Sequence, residues 1–399
     1  MPSHSNERSV MLVKLKPGKE KNAVWKHPWI FSGAILKAPD GFCPEVRIES
    51  AKGDFLGMGY YNPKSQIALR ILSFQDQKLD RDFFYGALSR SFSRRQHILT
   101  PTNTACRLVA SEADELPGLI IDQYGSVIVL QFLTAGIEYY RNIIVDLVVE
   151  MLKPETVWDR SDEAVREKEG LKQTSGLLFG KNLTSETLIV ENGYKLLVNI
   201  PSGHKTGFYL DQRQSRAEIM RLAKGKRVLN CFSYTGGYSV AALLGGALEV
   251  VSVEVSSQAL EVLEKNLEAN QITQGNLSMK LDVFEYLRKA KEDGQKFDLI
   301  ILDPPKFVSS KSDLDRAARG YKDINRLAFH LLNPEGILAT FSCSGHMDDL
   351  LFQKIIFSAA LEAGCNGQIV GKFLQAEDHP ILLTFPESSY LKGLQVRKI

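Results

Sequence analysis

Two side chains in the second half of the chain could take part in a reaction, and the first of them is Asp303. It follows the apolar run 299–302 and precedes Pro304 and Pro305. Prolines cannot donate ladder hydrogen bonds, and Pro304 also restricts Asp303 to extended geometry. The pattern predicts a buried parallel strand that ends at a carboxylate, at the edge where open α/β sheets bind their ligands.

The second such side chain is Cys343, which is flanked by serines just beyond another apolar run, 337–341. A lone cysteine is by default an inert packing thiol. We assign that default to Cys43, Cys106, Cys231 and Cys365. Cys343 differs because its neighbours are small and because its strand should put it beside Asp303 in the sheet. We therefore expect Cys343 to be a nucleophile.

A thiol beside a carboxyl group suits one kind of methyl transfer. The C5 carbon of cytosine is a poor nucleophile, and a thiolate that adds at C6 makes C5 able to attack a sulfonium methyl group. Asp303 could then hydrogen-bond the base at N3 or at its amino group. The sequence does not identify the base that removes the C5 proton, and the reaction needs no metal.

A glycine-containing loop could bind the methyl donor. Gly236 and Gly237 follow the predicted strand 226–232, let backbone approach a ligand closely, and open a helix whose first amides are free. No GxGxxG fingerprint is present, so the Thr235-Gly236-Gly237 loop favours an adenosine ligand without pyrophosphate. We therefore predict S-adenosylmethionine as the cofactor rather than a nicotinamide dinucleotide.

Acidic residues at two further strand ends support this assignment. Glu254 should bind the ribose hydroxyls, as acids in this position do in dinucleotide-binding folds. Asp282 could accept the adenine amino group, and Phe284 could pack against the ring. The cofactor contacts predicted at the strand ends are Phe232, Tyr234, Thr235, Gly236, Glu254, Asp282, Phe284 and Asp303.

The elements that must position these residues alternate between short strands and helices from about residue 201, which predicts a parallel sheet. The predicted strands are 226–232, 250–255, 277–281, 299–302 and 337–341, with 368–374 and 381–385 as the final ones. The predicted helices are 214–223, 239–244, 258–270, 285–291, 324–332 and 350–363. Asp211, three residues before Gln214, is a candidate N-cap of the first helix.

The first half of the chain predicts two smaller units. Residues up to about 74 resemble a β-rich module with strands at 46–48, 55–61 and 67–72, and we expect Trp25 and Trp29 to lie in its core. The second unit contains a basic helix at 80–99, a hairpin around Gly125, a helix at 137–152 and a hairpin at 188–198.

Composition limits the class of protein. The chain has 399 residues, which suggests two or three domains, and five cysteines without a CxxC pair argue against disulfides or zinc. There is no apolar run of roughly 18 residues and no signal-peptide pattern, so we expect a cytoplasmic protein without a membrane span. The net charge of +2 does not by itself predict nucleic-acid binding. Basic residues are nevertheless clustered at Lys14, Lys16, Lys19, Lys21 and Lys26, at Arg90, Arg94 and Arg95, and at Lys306, Lys311, Arg316, Arg319, Lys322 and Arg326.

Five motifs together resemble the bacterial ribosomal large-subunit RNA cytosine-5 methyltransferase family. They are KTGFYLDQR (205–213), NCFSYTG (230–236), LDPPKF (302–307), FSCSG (341–345) and, in the N-terminal module, HPWIFSGAI (27–35). The resemblance implies an α/β fold with an N-terminal PUA-like β barrel (1–75), a small central α+β domain (76–190) and a C-terminal Rossmann-like class I methyltransferase sheet (191–399). It also implies that Cys343 is the nucleophile and that Phe208, Gln212 and Arg213 lie near the cofactor. The expected substrate is 23S ribosomal RNA or a large-subunit assembly intermediate.

Three alternatives stay open at this point. A methyltransferase that acts on a guanine nitrogen shares the Asp-Pro-Pro strand end but needs no thiol, because nitrogen is already nucleophilic. An RNA-binding assembly factor that keeps the fold without catalysis is the second, and a nicotinamide-dependent dehydrogenase is the third. The sequence also leaves open which nucleotide is modified and whether the protein is a homodimer.

Overall fold

The computed structural model describes residues 10–184, 186–307 and 313–399 and divides the chain into two compact units. The first unit comprises the described part of Met1–Thr187 with Val198–Phe208 and Asp378–Ser388. The second unit comprises Leu188–Leu197, Tyr209–Glu377 and Ser389–Ile399. Lys311, from the third basic cluster, lies outside the described residues. The three-domain boundaries at residues 75 and 190 stay a prediction.

A six-stranded sheet begins the first unit. Its strands are β1 (Met11–Leu15), β2 (Trp29–Ile30), β3 (Ile35–Lys37), β4 (Cys43–Glu49), β5 (Phe55–Tyr61) and β6 (Leu69–Ser73), in the order β2-β6-β5-β4-β1-β3. Val13 and Leu15 are fully buried on one face of β1, as strand alternation requires. Trp29 is half-buried, and its Nε1 donates to Glu112 at 2.8 Å. The expectation that Trp25 lies in the core was wrong, because 63% of this residue is exposed.

A five-stranded sheet forms the rest of the first unit. Its strands are β7 (Ala105–Ala110), β8 (Leu119–Tyr124), β9 (Val127–Phe132), β10 (Thr156–Asp159) and β11 (Gly176–Gly180), in the order β11-β10-β9-β8-β7. The helices of this unit are α1 (Lys21–Val24), α2 (Arg81–Ser93), α3 (Ala135–Tyr139), α4 (Arg141–Leu152) and α5 (Glu163–Lys168). Helix α2 begins at Asp80, whose side chain accepts from Phe83 N at 3.2 Å. The helix expected at 137–152 is interrupted at Tyr140, whose ring packs 4.6 Å from that of Phe84.

A seven-stranded sheet is the framework of the second unit. Its strands are β14 (Arg227–Cys231), β15 (Glu249–Glu254), β16 (Asn276–Lys280), β17 (Phe297–Leu302), β18 (Leu332–Ser342), β19 (Gly367–Phe373) and β20 (Lys392–Lys398), in the order β16-β15-β14-β17-β18-β20-β19. The first five strands in that order are parallel, and β20 pairs antiparallel with β18 and β19. The helices are α6 (Arg213–Leu222), α7 (Gly237–Leu244), α8 (Ser257–Ala269), α9 (Val283–Glu292), α10 (Leu314–Leu331) and α11 (Asp349–Glu362). The fold is therefore the α/β class that was predicted.

Apolar side chains cover both faces of this sheet. Leu229, Ile300 and Leu302 face one core cluster, and Val228 and Leu299 face the other. Burial on both faces explains why β14 and β17 contain nearly continuous apolar runs. A hairpin of β12 (Thr187–Glu191) and β13 (Tyr194–Val198) precedes the sheet.

Two predicted elements were wrong. Residues 381–385 form no strand and contain only an isolated bridge between Leu382 and Phe385. The last strand of the sheet is instead β20, which lies between β18 and β19. Lys392, Gln395 and Arg397 interrupt its apolar pattern, although most of the strand is buried. Helix α10 starts ten residues before the predicted position 324. Within the ranges given above, no helix has the length and apolar character needed to cross a membrane.

Candidate active site

The parallel register brings the predicted site residues to one edge of the seven-stranded sheet. Cys231 pairs with Leu302, Glu254 pairs with Lys280, and Leu302 pairs with Thr340. The residues that follow these positions therefore leave the sheet at the same carboxyl edge. They are Tyr234 after β14, Glu254 at the end of β15, Asp282 after β16, Asp303 after β17 and Cys343 after β18.

The loop after β14 has an unusual backbone. Phe232 (φ 59°), Tyr234 (φ 48°) and Gly236 (φ 79°) all adopt left-handed conformations, which cost energy at the two non-glycine positions. Gly236 caps α7, and its N–H donates to Ser233 O at 2.9 Å. Such strain is typical of a loop that the surrounding fold holds in a conformation suited to ligand binding.

Two buried hydroxyl groups of this loop have no hydrogen-bond partner among the residues that the structure describes. They are Ser233 Oγ and Thr235 Oγ1, and both residues are 5% exposed. A buried polar atom without a partner is costly, so a polar ligand at the loop would supply what the protein does not. The amino and carboxylate groups of a methionine moiety have that polarity. The loop therefore fits S-adenosylmethionine on an observation independent of the motif.

Glu254 is held at the end of β15 by two backbone amides. Its Oε2 accepts from Tyr234 N at 2.9 Å, and its Oε1 accepts from Ser256 N at 2.9 Å. Each carboxylate oxygen can accept a further hydrogen bond, which leaves capacity for a pair of ribose hydroxyls.

Asp282 is exposed, and it caps α9 through an oxygen that accepts from Phe284 N at 2.9 Å and from Glu285 N at 3.2 Å. The ring centre of Phe284 lies 6.3 Å from that of Phe307. The ring centre of Phe307 lies 6.5 Å from that of Phe232. All three rings are partly buried and pack against the same core cluster. Phe307 belongs to the LDPPKF motif, but the sequence pattern by itself indicates no role for it.

Asp303 is the most perturbed carboxyl group of the site. Burial raises the pKa of Asp303 to about 7. The charge of Asp211 reinforces this shift, and the charge of Arg216 opposes it. Gln212 Nε2 donates to Asp303 Oδ2 at 3.2 Å, and Gln212 Oε1 accepts from Tyr238 at 2.8 Å. Asp303 is thus oriented, and it can exist in either protonation state near neutral pH.

The segment that precedes α6 supports this arrangement. Arg216 makes a buried two-point ion pair with Glu191 (2.6 and 2.7 Å) and donates to Tyr209 O at 2.9 Å. Asp211 is not the predicted N-cap, because Gln212 occupies that position and Asp211 Oδ2 instead accepts from Tyr390 at 2.6 Å. Burial raises the pKa of the Tyr209 hydroxyl, and Asp303, Tyr234 and Cys343 reinforce the shift.

Two residues that the family resemblance put near the cofactor are buried. Arg213 is 4% exposed at the start of α6, and its carbonyl accepts from Asn192 Nδ2 at 3.1 Å. Phe208 is 4% exposed and belongs to the first unit. Their contact with the cofactor stays a prediction.

Cys343 is half-buried at the end of β18, between two buried serines. Cys231, by contrast, is fully buried, and burial raises its pKa far above the ordinary value, which suits a packing thiol. Among the described residues, no group of three or more histidine, cysteine or carboxylate side chains could hold a metal ion.

Comparison with known proteins gives consistent results over nearly the whole chain. Residues 166–361 match a family model for S-adenosylmethionine-dependent methyltransferases, and residues 13–74 match one for a PUA-like domain. Ribosomal RNA large subunit methyltransferase I of Tolumonas auensis is 49% identical over 395 residues, which are 97% of this chain and 99% of the relative. The protein of the same name from Escherichia coli O157:H7 is 46% identical over 98% of this chain and 99% of its own length.

Solved structures share the fold. A methyltransferase candidate crystallised with S-adenosylhomocysteine superimposes with a TM-score of 0.86 at 24% identity, over 97% of this chain and 100% of that chain. A second one, from Streptococcus mutans, gives a TM-score of 0.85 at the same identity and coverage. At this level of identity the likeness shows the fold alone.

Proposed function

The chain belongs to the ribosomal RNA large subunit methyltransferase I family and uses S-adenosylmethionine, and we propose that it methylates C5 of a cytosine in large-subunit (23S) ribosomal RNA. The observation that carries the proposal is the location of Cys343 and Asp303, which follow the carboxyl ends of the neighbouring strands β18 and β17 at the same edge of the sheet as the cofactor loop. A nitrogen methyltransferase has no need of that thiol. The substrate is free 23S RNA or an assembly intermediate of the large subunit.

The thiol begins the reaction. Cys343, as a thiolate, forms a bond from sulfur to C6, and the displaced electron pair moves toward N3 of the base. The cofactor supplies an electrophilic methyl group on a positively charged sulfur. C5, now electron-rich, takes that methyl group. Loss of the C5 proton to a base then expels the Cys343 thiolate and restores the aromatic ring.

Asp303 supplies the complementary proton. With a pKa of about 7, a large fraction of this carboxyl group is protonated at neutral pH, when it can donate to N3 as electron density arrives there. The proton returns from N3 to Asp303 when the Cys343 thiolate leaves. An ionised carboxylate at the same place would repel that density. Gln212, which donates to the other side of the same carboxyl group, keeps it oriented.

The residues that would hold the cofactor follow the strand ends. Ser233 and Thr235 would bind its amino acid portion, Glu254 its ribose hydroxyls, and Phe232, Phe284 and Phe307 its base. Asp282 would accept the adenine amino group. Gln212 and Arg213 would complete the site next to Asp303.

The identity of the methylated nucleoside tests the proposal. Ribosomal RNA from a strain without the protein is incubated with the wild-type protein, with Cys343→Ala and with Cys365→Ala, and is then digested for nucleoside mass analysis. We expect 5-methylcytidine from the wild type and from Cys365→Ala, whose thiol is also half-buried. Cys343→Ala should give at least 1000-fold less product. A gain of N-methylguanosine instead of 5-methylcytidine, or normal activity of Cys343→Ala, would contradict the proposal. No gain of any methylated nucleoside, either in the free RNA or in large-subunit precursor particles from the same strain, would favour a non-catalytic assembly factor.

A further inference from the structure

A lysine that the sequence analysis did not single out lies beneath the Cys343 loop. Lys392 begins β20 and is only 7% exposed, which is rare for lysine. Its Nζ donates to Ser344 O at 2.7 Å and to Tyr390 O at 2.8 Å. A buried cation with two carbonyl partners is held in one position, and its location therefore has chemical consequences.

Lys392 contacts the residues on both sides of Cys343. The backbone of Lys392 pairs with Ser342, the residue before Cys343. Its side chain reaches the carbonyl of Ser344, the residue after Cys343. Lys392 therefore spans the turn that carries the thiol. Two of the three ammonium hydrogens are donated to carbonyls, and the charge stays beside the sulfur.

The titratable groups around this pair include two tyrosines and three carboxyl groups, which are Tyr209, Tyr321, Asp303, Asp348 and Asp349. Lys372, on the neighbouring strand β19, lines the same cavity as Lys392 and Asp349. The tyrosines are neutral, since burial raises the pKa of each hydroxyl. Burial lowers the pKa of Lys392, and Asp349, Cys343 and Asp348 oppose that shift. The carboxylates favour the ammonium form, and the ammonium in turn favours an ionised thiol.

The proposed reaction needs this help. It requires a thiolate at Cys343 together with a protonated Asp303, whereas an ordinary thiol ionises near pH 8.5, where most of Asp303 would already have lost its proton. We propose that Lys392 is a positioning residue that fixes the Cys343 turn and stabilises the Cys343 thiolate. This inference rests on the proposed role of Cys343 as the nucleophile. A positive charge beside the thiol brings the two required protonation states into the same pH range.

The pH dependence of Cys343 alkylation tests this role. Iodoacetamide is reacted with the full chain without RNA or cofactor, and modification of Cys343 is followed by peptide mass analysis from pH 5 to 10. The midpoint is the pH at which the alkylation rate of Cys343 reaches half its maximum. In Lys392→Met this midpoint should rise by about one pH unit or more, so that alkylation at pH 7 slows about tenfold. Lys392→Arg, which keeps the charge, should retain most of the wild-type midpoint.

Two further variants separate charge from structure. Lys392→Gln can still donate to the Ser344 carbonyl but carries no charge, so it should show the same rise and keeps the test valid if Lys392→Met does not fold. Lys398→Met removes another lysine of β20 whose Nζ donates to two carbonyls, Phe329 O and Leu332 O, both at 2.8 Å. Its Cys343 midpoint should equal that of the wild type. A wild-type midpoint in folded Lys392→Gln would overturn the inference. Because the assay contains neither RNA nor cofactor, its result is independent of which nucleoside is methylated.

Discussion

At the scale of single residues, the site depends on protonation states that the fold makes unusual. Asp303 is held with a pKa of about 7 by burial and by Asp211. A carboxyl group with these properties costs stability whenever it is ionised, because the folded state binds its proton more tightly than the unfolded chain does. Strongly shifted pKa values of this kind are concentrated at functional sites.

The stability of Asp303→Asn should therefore depend on pH. The folded pKa is about 7 and the unfolded one about 3.9, so the cost to the wild type is absent below pH 4 and full above pH 7. We expect the variant to be more stable than the wild type by up to about 4 kcal/mol at pH 8, with the gain disappearing toward pH 4. Urea denaturation across this pH range measures it.

Asp298→Asn is the control on the same strand. Asp298 accepts from Arg227 N at 2.9 Å and from Asn333 Nδ2 at 2.8 Å, so removing its charge should bring no gain. A gain at pH 8 that persists unchanged at pH 4 would contradict the titration of Asp303.

At the scale of elements, the sequence predicted the carboxyl end of each parallel strand to within one residue. Strand β17 was expected at 299–302 and occupies Phe297–Leu302. The prediction was accurate because a continuous apolar run is typical of a buried parallel strand and because the two prolines that follow Asp303 end its hydrogen-bonded ladder. Strand β20 was missed because its alternating polar residues resemble a surface segment. Only the tertiary structure shows that Lys392 is buried by pairing with β18, and so local pattern could not reveal it.

The cofactor loop is the element whose geometry is most restricted. Gly236 has φ 79°, and a Cβ added there would lie 2.5 Å from Leu263 Cγ. Gly225 has a similar φ of 69°, but a Cβ there would meet nothing within 4 Å. Alanine at Gly225 therefore introduces backbone strain alone, whereas alanine at Gly236 introduces both backbone strain and steric overlap.

We expect Gly225→Ala to cost about 1 kcal/mol of stability and to leave cofactor binding unchanged. Gly236→Ala should cost at least about 2 kcal/mol, because Leu263 or the loop must move, and should weaken S-adenosylmethionine binding at least tenfold. Thermal denaturation and titration calorimetry measure both effects. Equal binding by the two variants would show that the loop does not contact the cofactor.

At the scale of the whole molecule, charge clusters that are adjacent in sequence have different environments in the structure. In the second cluster, Arg95 is buried and donates to both oxygens of Asp114 at 2.6 Å. In the third, Lys322 pairs with Glu362 and Arg326 with Asp323. These ion pairs neutralise the positive charges of the basic side chains involved. They could not be deduced from the spacing of basic residues in the sequence.

The first cluster keeps exposed lysines, and the RNA prediction belongs there. Lys19, Lys21 and Lys26 are exposed, and Lys21 Nζ lies 4.0 Å from the ring centre of the exposed Trp25. Replacing the three lysines by glutamine should lower the slope of log affinity for RNA against log salt by about 2–3. Filter binding at several salt concentrations measures this slope.

Glutamine at Lys52, Lys153 and Lys181 is the matched control, since these lysines of the first unit are also exposed. Their replacement should change the slope by less than about 1. An equal effect of both sets would mean that only net charge matters, and an unchanged slope in the first set would remove RNA contact from this cluster.

The covalent bond between protein and RNA tests the central claim most directly. RNA that contains 5-fluorocytosine cannot lose a proton at C5, so the reaction should stop after methyl transfer with enzyme, methyl group and base joined. The adduct should require S-adenosylmethionine, survive denaturation and map by peptide mass analysis to Cys343. An adduct that maps to Cys231, or Cys343→Ser protein that still methylates C5 at the normal rate, would contradict the account.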